Sequence, residues 1–303
     1  MTRYSPPTDH HTGLELGLEA ALAEAEILVS GWGCPRLTAD VLAKAPCLQA
    51  VFHAAGSVKS LVSEAVWERG ITVSSAAEAN AHPVASYAFA LITLAARRTL
   101  AVAAHYADGW PDFASRTGAD NLTVGIVGAS RIGRRVIAEL HRSDARFTIL
   151  VSDPHLTDDE ARRIGARRVE LPELCRQSTV VSVHAPLLPE TTGLINAAML
   201  ALMPDGGALI NTARGAIVDT AALTHECASG RLEAYLDVTE PEPLPPEHLL
   251  ASLPNVLLTP HIAGAQGSEV RRLGAYAIAE IERWLRGEPL LGPVSRDALS
   301  HLA

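Results

Sequence analysis

Short runs of apolar residues alternate with helical patterns along most of the chain. Several runs are almost continuously apolar, as in the segments LTVGIVG, TVVSV and GALINTA. Such runs are typical of parallel strands that are buried on both faces. The predicted strands are Glu26–Ser30, Gln49–Ala54, Ile71–Ser74, Thr123–Gly128, Thr148–Ser152, Thr179–His184, Ala208–Thr212, Ala234–Val238 and Val256–Thr259. Their alternation with helices predicts an α/β fold of the doubly wound, Rossmann type.

Two longer helical patterns, Ala81–Tyr106 and Gly267–Arg286, interrupt this alternation. They predict a discontinuous layout, in which residues 95–266 form one complete α/β domain. The chain ends, residues 1–94 and 267–303, then come together as a smaller second domain. A length of 303 residues fits two domains of ordinary size.

Charge and composition exclude several classes of partner. The formal net charge is -9, and no block of lysines or arginines stands out, so we expect neither nucleic acid nor a membrane surface as a partner. The first 13 residues have no apolar signal core, and the most apolar stretch, Pro83–Ala96, is too short to span a bilayer. The four cysteines form no CxxC pair, so no metal site is predicted. These features favour a cytoplasmic protein.

A glycine-rich turn follows the predicted strand at Thr123. The segment GIVGASRIG is close to the G-x-G-x-x-G pattern and leads into a helix. Gly128 permits the tight turn, and Gly133 permits close packing of helix on strand. The helix N-terminus then presents free N–H groups to a pyrophosphate. Ser130 stands where the second glycine of the pattern is usual, and its hydroxyl can donate to phosphate.

An acidic residue lies at the distance that this motif requires. Asp153 is 20 residues beyond Gly133, at the end of the next predicted strand. A carboxylate at that point accepts hydrogen bonds from the adenosine ribose and repels a 2′-phosphate. The sequence therefore predicts NAD, in preference to NADP, as the cofactor. The alternative is an ordinary glycine turn with a solvated aspartate.

Three further polar residues follow apolar strands and should share the rim of the glycine turn. Arg214 can grip a carboxylate and polarise a carbonyl, and His261 can exchange a proton near neutral pH. Glu242 can hold the second nitrogen of the imidazole and so fix its tautomer. Together the three suit reduction of a 2-keto acid. Taken singly, Arg214 is also consistent with a strand-end surface charge. His261 is also consistent with a hydrogen-bonded capping residue, and Glu242 with a solvated charge.

Ordered motifs over roughly residues 25 to 290 resemble the D-isomer-specific 2-hydroxyacid dehydrogenases. The motifs are GIVGASRIGR, VVSVHAPLLPETTGLIN, ALINTARGAIVDTAAL, LDVTEPEPLP and NVLLTPHIAGA. The resemblance implies that Arg214 is the catalytic arginine and His261 the acid/base. It also implies that the catalytic glutamate is Glu242, which lies five residues after Asp237, rather than the nearby Glu240.

The resemblance also implies a substrate loop and a homodimer. In this family a glycine-containing loop of the other domain binds the substrate carboxylate through backbone N–H groups, which points to Gly56, Ser57 and Val58. Asn80 matches a position that usually supports that loop. We expect a flavodoxin-like fold for this smaller substrate domain and a homodimer joined largely through the cofactor domain. The predicted cofactor-binding set is Gly128, Ser130, Arg131, Ile132, Gly133, Asp153, His184, Thr212 and Asp237.

The chain departs from the family pattern in places. Lys59 stands where the family often has aspartate, beside the predicted substrate loop, and either adds affinity for an anion or faces water. Residues 1–13 contain no clear apolar strand, so a central strand of the smaller domain is expected to be missing, through either an upstream start or a trimmed domain.

Three functions stay open from the sequence. The first is an NAD-dependent oxidoreductase acting on a small 2-keto or 2-hydroxy acid of D configuration. The second is an NAD-sensing binding protein that resembles the C-terminal binding protein corepressors. The third is a dehydrogenase of an unusual anion such as phosphite. The sequence does not identify the acid.

Overall fold

The computed structural model describes residues 21–299, which form two compact units. Within that range the smaller unit contains residues 21–79 and Arg271–Leu299, and the larger unit contains Asn80–Val270. The first boundary thus falls after Ala79, whereas the sequence predicted it after residue 94. The second boundary falls after Val270, whereas the sequence predicted it after residue 266.

Strands and helices alternate along both units. The strands are β1 (Ile27–Ser30), β2 (Ala50–His53), β3 (Thr72–Ser75), β4 (Thr123–Val127), β5 (Thr148–Ser152), β6 (Arg167–Arg168), β7 (Val180–Val183), β8 (Ala208–Asn211), β9 (Glu233–Leu236), β10 (Val256–Leu258) and β11 (Pro293–Val294). The helices are α1 (Ala39–Ala43), α2 (Glu64–Glu68), α3 (Ala77–Ala96), α4 (Thr99–Ala104), α5 (Arg131–Arg142), α6 (Asp158–Arg163), α7 (Leu171–Gln177), α8 (Ala197–Leu202), α9 (Thr220–Ala228), α10 (Val270–Leu285) and α11 (Arg296–Leu299).

The larger unit is built on a parallel sheet of seven strands in the order β10-β9-β8-β7-β4-β5-β6. The strand order reverses between β4 and β7, which is the switch point of a doubly wound Rossmann sheet. Val180–Val183 and Ala208–Asn211 are buried along their whole length, as the continuous apolar runs predicted. The predicted fold class is confirmed for this unit, and its ligand edge lies at the carboxyl ends of these strands.

Helix α3 belongs to the larger unit for almost all of its length. Ala88, Leu91 and Ile92 of this helix are buried in one apolar cluster with Ile126 and Ile137, which lie in β4 and α5. This packing explains why the first unit boundary lies N-terminal to the expected one, because the helix buries its apolar face against the larger sheet.

The first long helix is shorter than the apolar pattern predicted. α3 ends at Ala96, and Arg98 adopts a left-handed backbone conformation with φ of 53°. The Thr99 hydroxyl donates to the Leu94 carbonyl oxygen at 2.9 Å, which occupies a carbonyl near the end of the helix. The chain then continues as the separate helix α4, so the prediction of one helix from Ala81 to Tyr106 is wrong in its second half.

The smaller unit contains a mixed sheet of four strands in the order β1-β2-β3-β11. β1, β2 and β3 are parallel, and β11 joins antiparallel to β3. The carboxylate of Glu280, in α10, is buried and accepts hydrogen bonds from the Ser74 hydroxyl and from the backbone N–H groups of Leu291 and Gly292. This single side chain holds the returning end of the chain against β3.

Two strands were not predicted. β6 consists of Arg167 and Arg168, which carry no apolar signal, and β11 is a two-residue strand that begins with Pro293. The central strand that we expected to be missing concerns residues 1–13, which lie outside the described residues. Among residues 21–299, no helix combines the length and apolar character that crossing a bilayer requires.

Candidate active site

A tight glycine turn connects β4 to α5 at the switch point of the larger sheet. Gly128 has φ of +95°, a conformation that L side chains rarely adopt. A Cβ atom there would lie 2.6 Å from the backbone nitrogen of Ala185, so the β4 turn packs directly on the end of β7. A Cβ atom on Gly133 would overlap the carbonyl oxygen of Gly128. Both glycines are therefore required by close backbone approach, as in a dinucleotide-binding turn.

Asp153, at the end of β5, stabilises this turn. One of its carboxylate oxygens accepts the Ala129 backbone N–H at 2.7 Å, and the other accepts the His155 backbone N–H at 2.8 Å. The carboxylate is thus fixed beside the first residues of α5. These contacts give Asp153 a structural role that the sequence did not reveal.

Ser130 caps α5. Its hydroxyl donates to the His184 carbonyl oxygen at 2.8 Å and accepts the Gly133 backbone N–H at 3.4 Å. The hydroxyl proton is therefore directed to the end of β7. The sequence instead predicted that this hydroxyl donates to a phosphate. Serine at this position ties the turn to the neighbouring strand and caps the first turn of α5.

The next two predicted cofactor residues begin α5. Arg131 is exposed, and Ile132 is half-buried and packs against the apolar core of the larger unit. The Arg134 guanidinium, which the sequence analysis did not single out, donates to the Ala129 carbonyl oxygen at 2.9 Å.

Two buried polar atoms near the ends of β7 and β8 have no hydrogen-bond partner among the described residues. They are Nδ1 of His184 and Oγ1 of Thr212. Nε2 of His184 is hydrogen-bonded to the Ser182 hydroxyl at 2.9 Å, and burial lowers the pKa of this imidazole to about 3, so the ring is neutral. Buried polar atoms rarely lack partners, so both atoms fit a polar ligand at this edge. Together with the glycine turn and Asp153, they fit a dinucleotide cofactor.

The predicted acid/base pair is formed. His261 Nδ1 lies 2.8 Å from Glu242 Oε1, and the histidine side chain is 52% exposed. With the Nδ1 proton donated to the carboxylate, Nε2 is the ring nitrogen that can exchange a proton with a ligand. His261 has φ of 54°, which is uncommon for a residue with a side chain and indicates a constrained backbone.

Asp237 organises the backbone around His261. Its carboxylate accepts the backbone N–H groups of Ile262 and Ala263 and the hydroxyl of Thr259, at 2.8, 2.8 and 2.6 Å. Its carbonyl oxygen accepts the His261 N–H at 2.9 Å. The structure thus places Asp237, predicted to bind the cofactor, in direct support of the histidine turn.

Arg214 lies close enough to Glu242 for the two side chains to interact electrostatically. Partial burial lowers the pKa of the Arg214 guanidinium, and the Glu242 carboxylate opposes that shift. The next residue, Gly215, has no room for a side chain because its position abuts the backbone of Thr239. The strand-end loops of Arg214 and Glu242 are therefore packed together. The larger unit brings all three predicted catalytic residues to one edge.

Asn80 contacts the same region, which the sequence analysis did not anticipate. Its Oδ1 accepts the Ala265 backbone N–H at 2.9 Å, four residues after His261. Asn80 was predicted to support the substrate loop, and its contact in the structure is with the histidine turn.

The predicted substrate loop lies after β2 in the smaller unit. Val58 is buried, and its carbonyl oxygen accepts the N–H groups of Leu61 and Val62 at 3.0 Å. Ser57 Oγ accepts the Lys59 N–H at 3.4 Å. Within the described part of the chain, Gly56, Ser57 and Val58 donate their own backbone N–H groups to no acceptor. Adjacent unpaired N–H groups of this kind suit an anion.

No cluster of three or more histidine, cysteine, aspartate or glutamate side chains that could hold a metal ion occurs in residues 21–299. The four cysteines are free thiols, and burial raises the pKa of Cys175 to about 11 and that of Cys227 to about 12. These two thiols stay protonated at neutral pH.

The Rossmann sheet, the glycine turn and the unpartnered polar atoms define a dinucleotide-binding protein. Residues 89–263 match the model of the NAD-binding domain of the D-isomer-specific 2-hydroxyacid dehydrogenases. A glyoxylate reductase of Aeropyrum pernix is 34% identical over 87% of this chain and 81% of its own length. The chain therefore belongs to the D-isomer-specific 2-hydroxyacid dehydrogenase family, as its motifs predicted.

Two further relatives differ from this chain in length or in named substrate. A D-3-phosphoglycerate dehydrogenase of Methanocaldococcus jannaschii is 32% identical over 88% of this chain, which spans only about half (51%) of that protein. Among solved structures, the apo D-mandelate dehydrogenase of Rhodotorula graminis superposes with a TM-score of 0.80 at 27% identity, covering 92% of this chain and 88% of that one. The names of these relatives refer to different acids, so the comparison does not select a substrate.

Proposed function

We propose that this protein is an NAD-dependent oxidoreductase that transfers a hydride between NAD(H) and the 2-carbon of a small 2-keto or 2-hydroxy acid of D configuration. The observation that carries the proposal is the hydrogen-bonded pair of His261 and Glu242 with Arg214 beside it. These residues follow strands of the same sheet edge that holds the glycine turn. Family membership and the named relatives support it.

Each of the three residues has a distinct task in the proposed reaction. NADH, when bound, supplies the hydride. Arg214 binds the substrate and polarises its 2-keto oxygen, because a partly buried guanidinium is a strong donor to oxygen. His261 gives its Nε2 proton to that oxygen during reduction and removes it during oxidation. Glu242 fixes the imidazole through Nδ1 and stabilises its protonated form.

The residues that would hold NAD are those of the glycine turn, Asp153, His184, Thr212 and Asp237. Asp153, whose carboxylate is held beside the start of α5, would accept ribose hydroxyls and repel a 2′-phosphate, which favours NAD over NADP. His184 Nδ1 and Thr212 Oγ1 supply polar atoms that lack protein partners in the described residues. The neutral imidazole of His184 adds no positive charge to the site.

The smaller unit contributes a separate prediction. The unpaired N–H groups of Gly56, Ser57 and Val58 make their loop the candidate for binding a substrate carboxylate. Lys59 follows directly in that loop, and its contribution to binding an anion is a further prediction. A cytoplasmic location also stays a prediction.

We further propose that the protein is a homodimer joined through the larger unit. The segment from α4 to residue 117 presents large apolar side chains to solvent, with Trp110 78% and Phe113 82% exposed. Exposed aromatic side chains in one segment are typical of a protein interface. The variant Trp110→Ser should shift the protein from dimer to monomer in light scattering, and a monomeric wild-type protein would refute this assignment.

An absorbance assay tests the proposed reaction. Purified protein is mixed with NADH and a panel of 2-keto acids that ranges from glyoxylate and hydroxypyruvate to bulky branched and aromatic acids. We expect NADH oxidation with at least one class of acid. His261→Gln should reduce kcat by ~100-fold or more while NADH affinity is retained. Tight NADH binding without turnover of any acid would instead indicate a binding protein or an unusual substrate such as phosphite.

A further inference from the structure

Helix α3 contacts the backbone turn that carries His261 at two points. The Tyr87 hydroxyl donates to Thr259 Oγ1 at 3.1 Å, two residues before the histidine. Asn80 Oδ1 accepts the Ala265 N–H at 2.9 Å, four residues after it. Asn80 and Tyr87 are seven residues apart, which is about two helical turns, so both lie on one face of α3. One rigid element therefore holds both sides of the turn.

The first of these contacts begins a continuous chain of hydrogen bonds. Tyr87 donates to Thr259, whose own hydroxyl proton goes to Asp237 Oδ1 at 2.6 Å. The Asp237 carboxylate in turn accepts the N–H groups of Ile262 and Ala263, on the far side of His261. Because each hydrogen bond polarises the next, removal of the tyrosine hydroxyl weakens the whole chain.

The turn needs such support. His261 adopts φ of 54°, and a residue with a side chain in this region is kept there only when its surroundings fix it. The hydrogen bond of His261 to Glu242 depends on that backbone geometry, since both side chains are partly exposed and are not held by packing alone. A small relaxation of the turn would move Nε2 of His261, the nitrogen proposed to exchange a proton, relative to Arg214 and a bound ligand.

We infer that Tyr87 is a positioning residue for His261, acting through Thr259 and Asp237. The inference rests on the proposed function, because it assigns Tyr87 to the support of the proposed acid/base. Among the described residues, the Tyr87 hydroxyl forms no hydrogen bond with the predicted catalytic residues or with the glycine turn. Its contribution is to the geometry of the turn.

The test compares four variants with the wild-type protein. Tyr87→Phe removes only the hydroxyl, and Tyr235→Phe is its control. Tyr235 also donates a buried hydroxyl hydrogen bond in the larger unit, at 3.2 Å to Glu233, the first residue of β9. Thr259→Ser keeps the linking hydroxyl, and Thr259→Val removes it. The measurements are amide hydrogen exchange of residues 261–265 by mass spectrometry or NMR, NADH affinity by fluorescence, and kcat and KM for the best 2-keto acid.

We expect Tyr87→Phe and Thr259→Val to raise the rate of amide hydrogen exchange at Ile262 and Ala263 by about 2- to 10-fold, because that is the effect of losing one hydrogen bond. The same variants should lower kcat by about 3- to 10-fold with NADH affinity unchanged. Thr259→Ser and Tyr235→Phe should behave as wild type in both measurements.

Failure of this inference is distinguishable from failure of the proposed function. If the wild-type protein reduces no acid, the proposed function fails, and hydrogen exchange alone then decides whether Tyr87 holds the turn. If the wild-type protein is active and Tyr87→Phe matches Tyr235→Phe in exchange and in kcat, the inference is overturned. A fall in NADH affinity equal to the fall in kcat would also overturn it, because that result indicates a general structural defect.

Discussion

Three glycine-to-alanine substitutions separate the reasons why this chain uses glycine. At Gly128, in the cofactor turn, φ is +95° and a Cβ atom would lie 2.6 and 2.7 Å from the backbone nitrogen and Cα of Ala185. At Gly230 φ is +77°, but nothing lies within 4 Å of the Cβ position. At Gly274, inside α10, no positive φ occurs and the position is open. An added methyl group therefore causes backbone strain and steric overlap at Gly128, backbone strain alone at Gly230, and neither at Gly274.

The three sites predict three different changes in the free energy of unfolding. A left-handed backbone costs a residue with a side chain about 1–2 kcal/mol, which is the expected loss for Gly230→Ala. Gly128→Ala adds overlap with the backbone of β7, for which about 1–3 kcal/mol is typical, so we expect a total loss of about 2–5 kcal/mol. Gly274→Ala should stabilise the protein by about 0.5–1 kcal/mol, because alanine is the better helix former.

Urea unfolding of each variant measures these free energies, and NADH titration by fluorescence measures the consequence for the cofactor turn. Gly128→Ala should bind NADH more weakly than wild type, whereas Gly230→Ala and Gly274→Ala should bind it equally well. Equal destabilisation by Gly128→Ala and Gly230→Ala, together with unchanged NADH affinity in both, would refute the close approach of the β4 turn to β7 and its role in binding.

Three further predictions concern ionisable groups. Asp153→Asn should lower the preference for NADH over NADPH, measured as a ratio of kcat/KM, because it removes the charge that repels a 2′-phosphate; an unchanged ratio would place the discrimination elsewhere. Glu242→Gln should lower kcat for reduction by up to about 5-fold, because a half-exposed pair contributes about 1 kcal/mol at most to holding the imidazole, and an unchanged kcat would count against the pair. Burial lowers the pKa of His184 from 6.5 to about 3, so the neutral ring stabilises the folded state fully above pH ~6.5 and less as the pH falls toward ~3. When the pH falls from about 7 to about 5, the free energy of unfolding, measured with urea, should decrease by about 2 kcal/mol more in the wild-type protein than in His184→Asn. Equal decreases in the two proteins would contradict this.

The hydrophobic pattern was sufficient to predict six of the seven strands of the larger sheet and three of the four strands of the smaller sheet. All nine predicted strands are present within a residue or two, because parallel strands buried on both faces give continuous apolar runs. β6 and β11 escaped prediction because two-residue strands have too few positions to establish a period. The break after Ala96 also escaped, because it depends on the left-handed conformation of Arg98 within a stretch of good helix formers.

The candidate site was predictable to the extent that residues follow strand ends. Arg214, Glu242 and His261 were found in this way, since the carboxyl ends of parallel strands share one edge. Tyr87 was not, because a tyrosine within a largely apolar helix has no local signal that distinguishes a hydrogen-bonding role from packing. The roles of Asp237 and Asn80 likewise emerged only from long-range hydrogen bonds, to Ala263 and Ala265.

The central claim is hydride transfer between NADH and the 2-carbon of an acid, and isotope transfer tests it most directly. The protein is incubated with NADH deuterated at the transferring position of the nicotinamide C4 and with the 2-keto acid that gives the fastest oxidation. The account predicts a 2-hydroxy acid of D configuration with deuterium at C2, and loss of this product in His261→Gln. An unlabelled product, an L-configured product, or NADH that binds and is never oxidised by any 2-keto acid would contradict it.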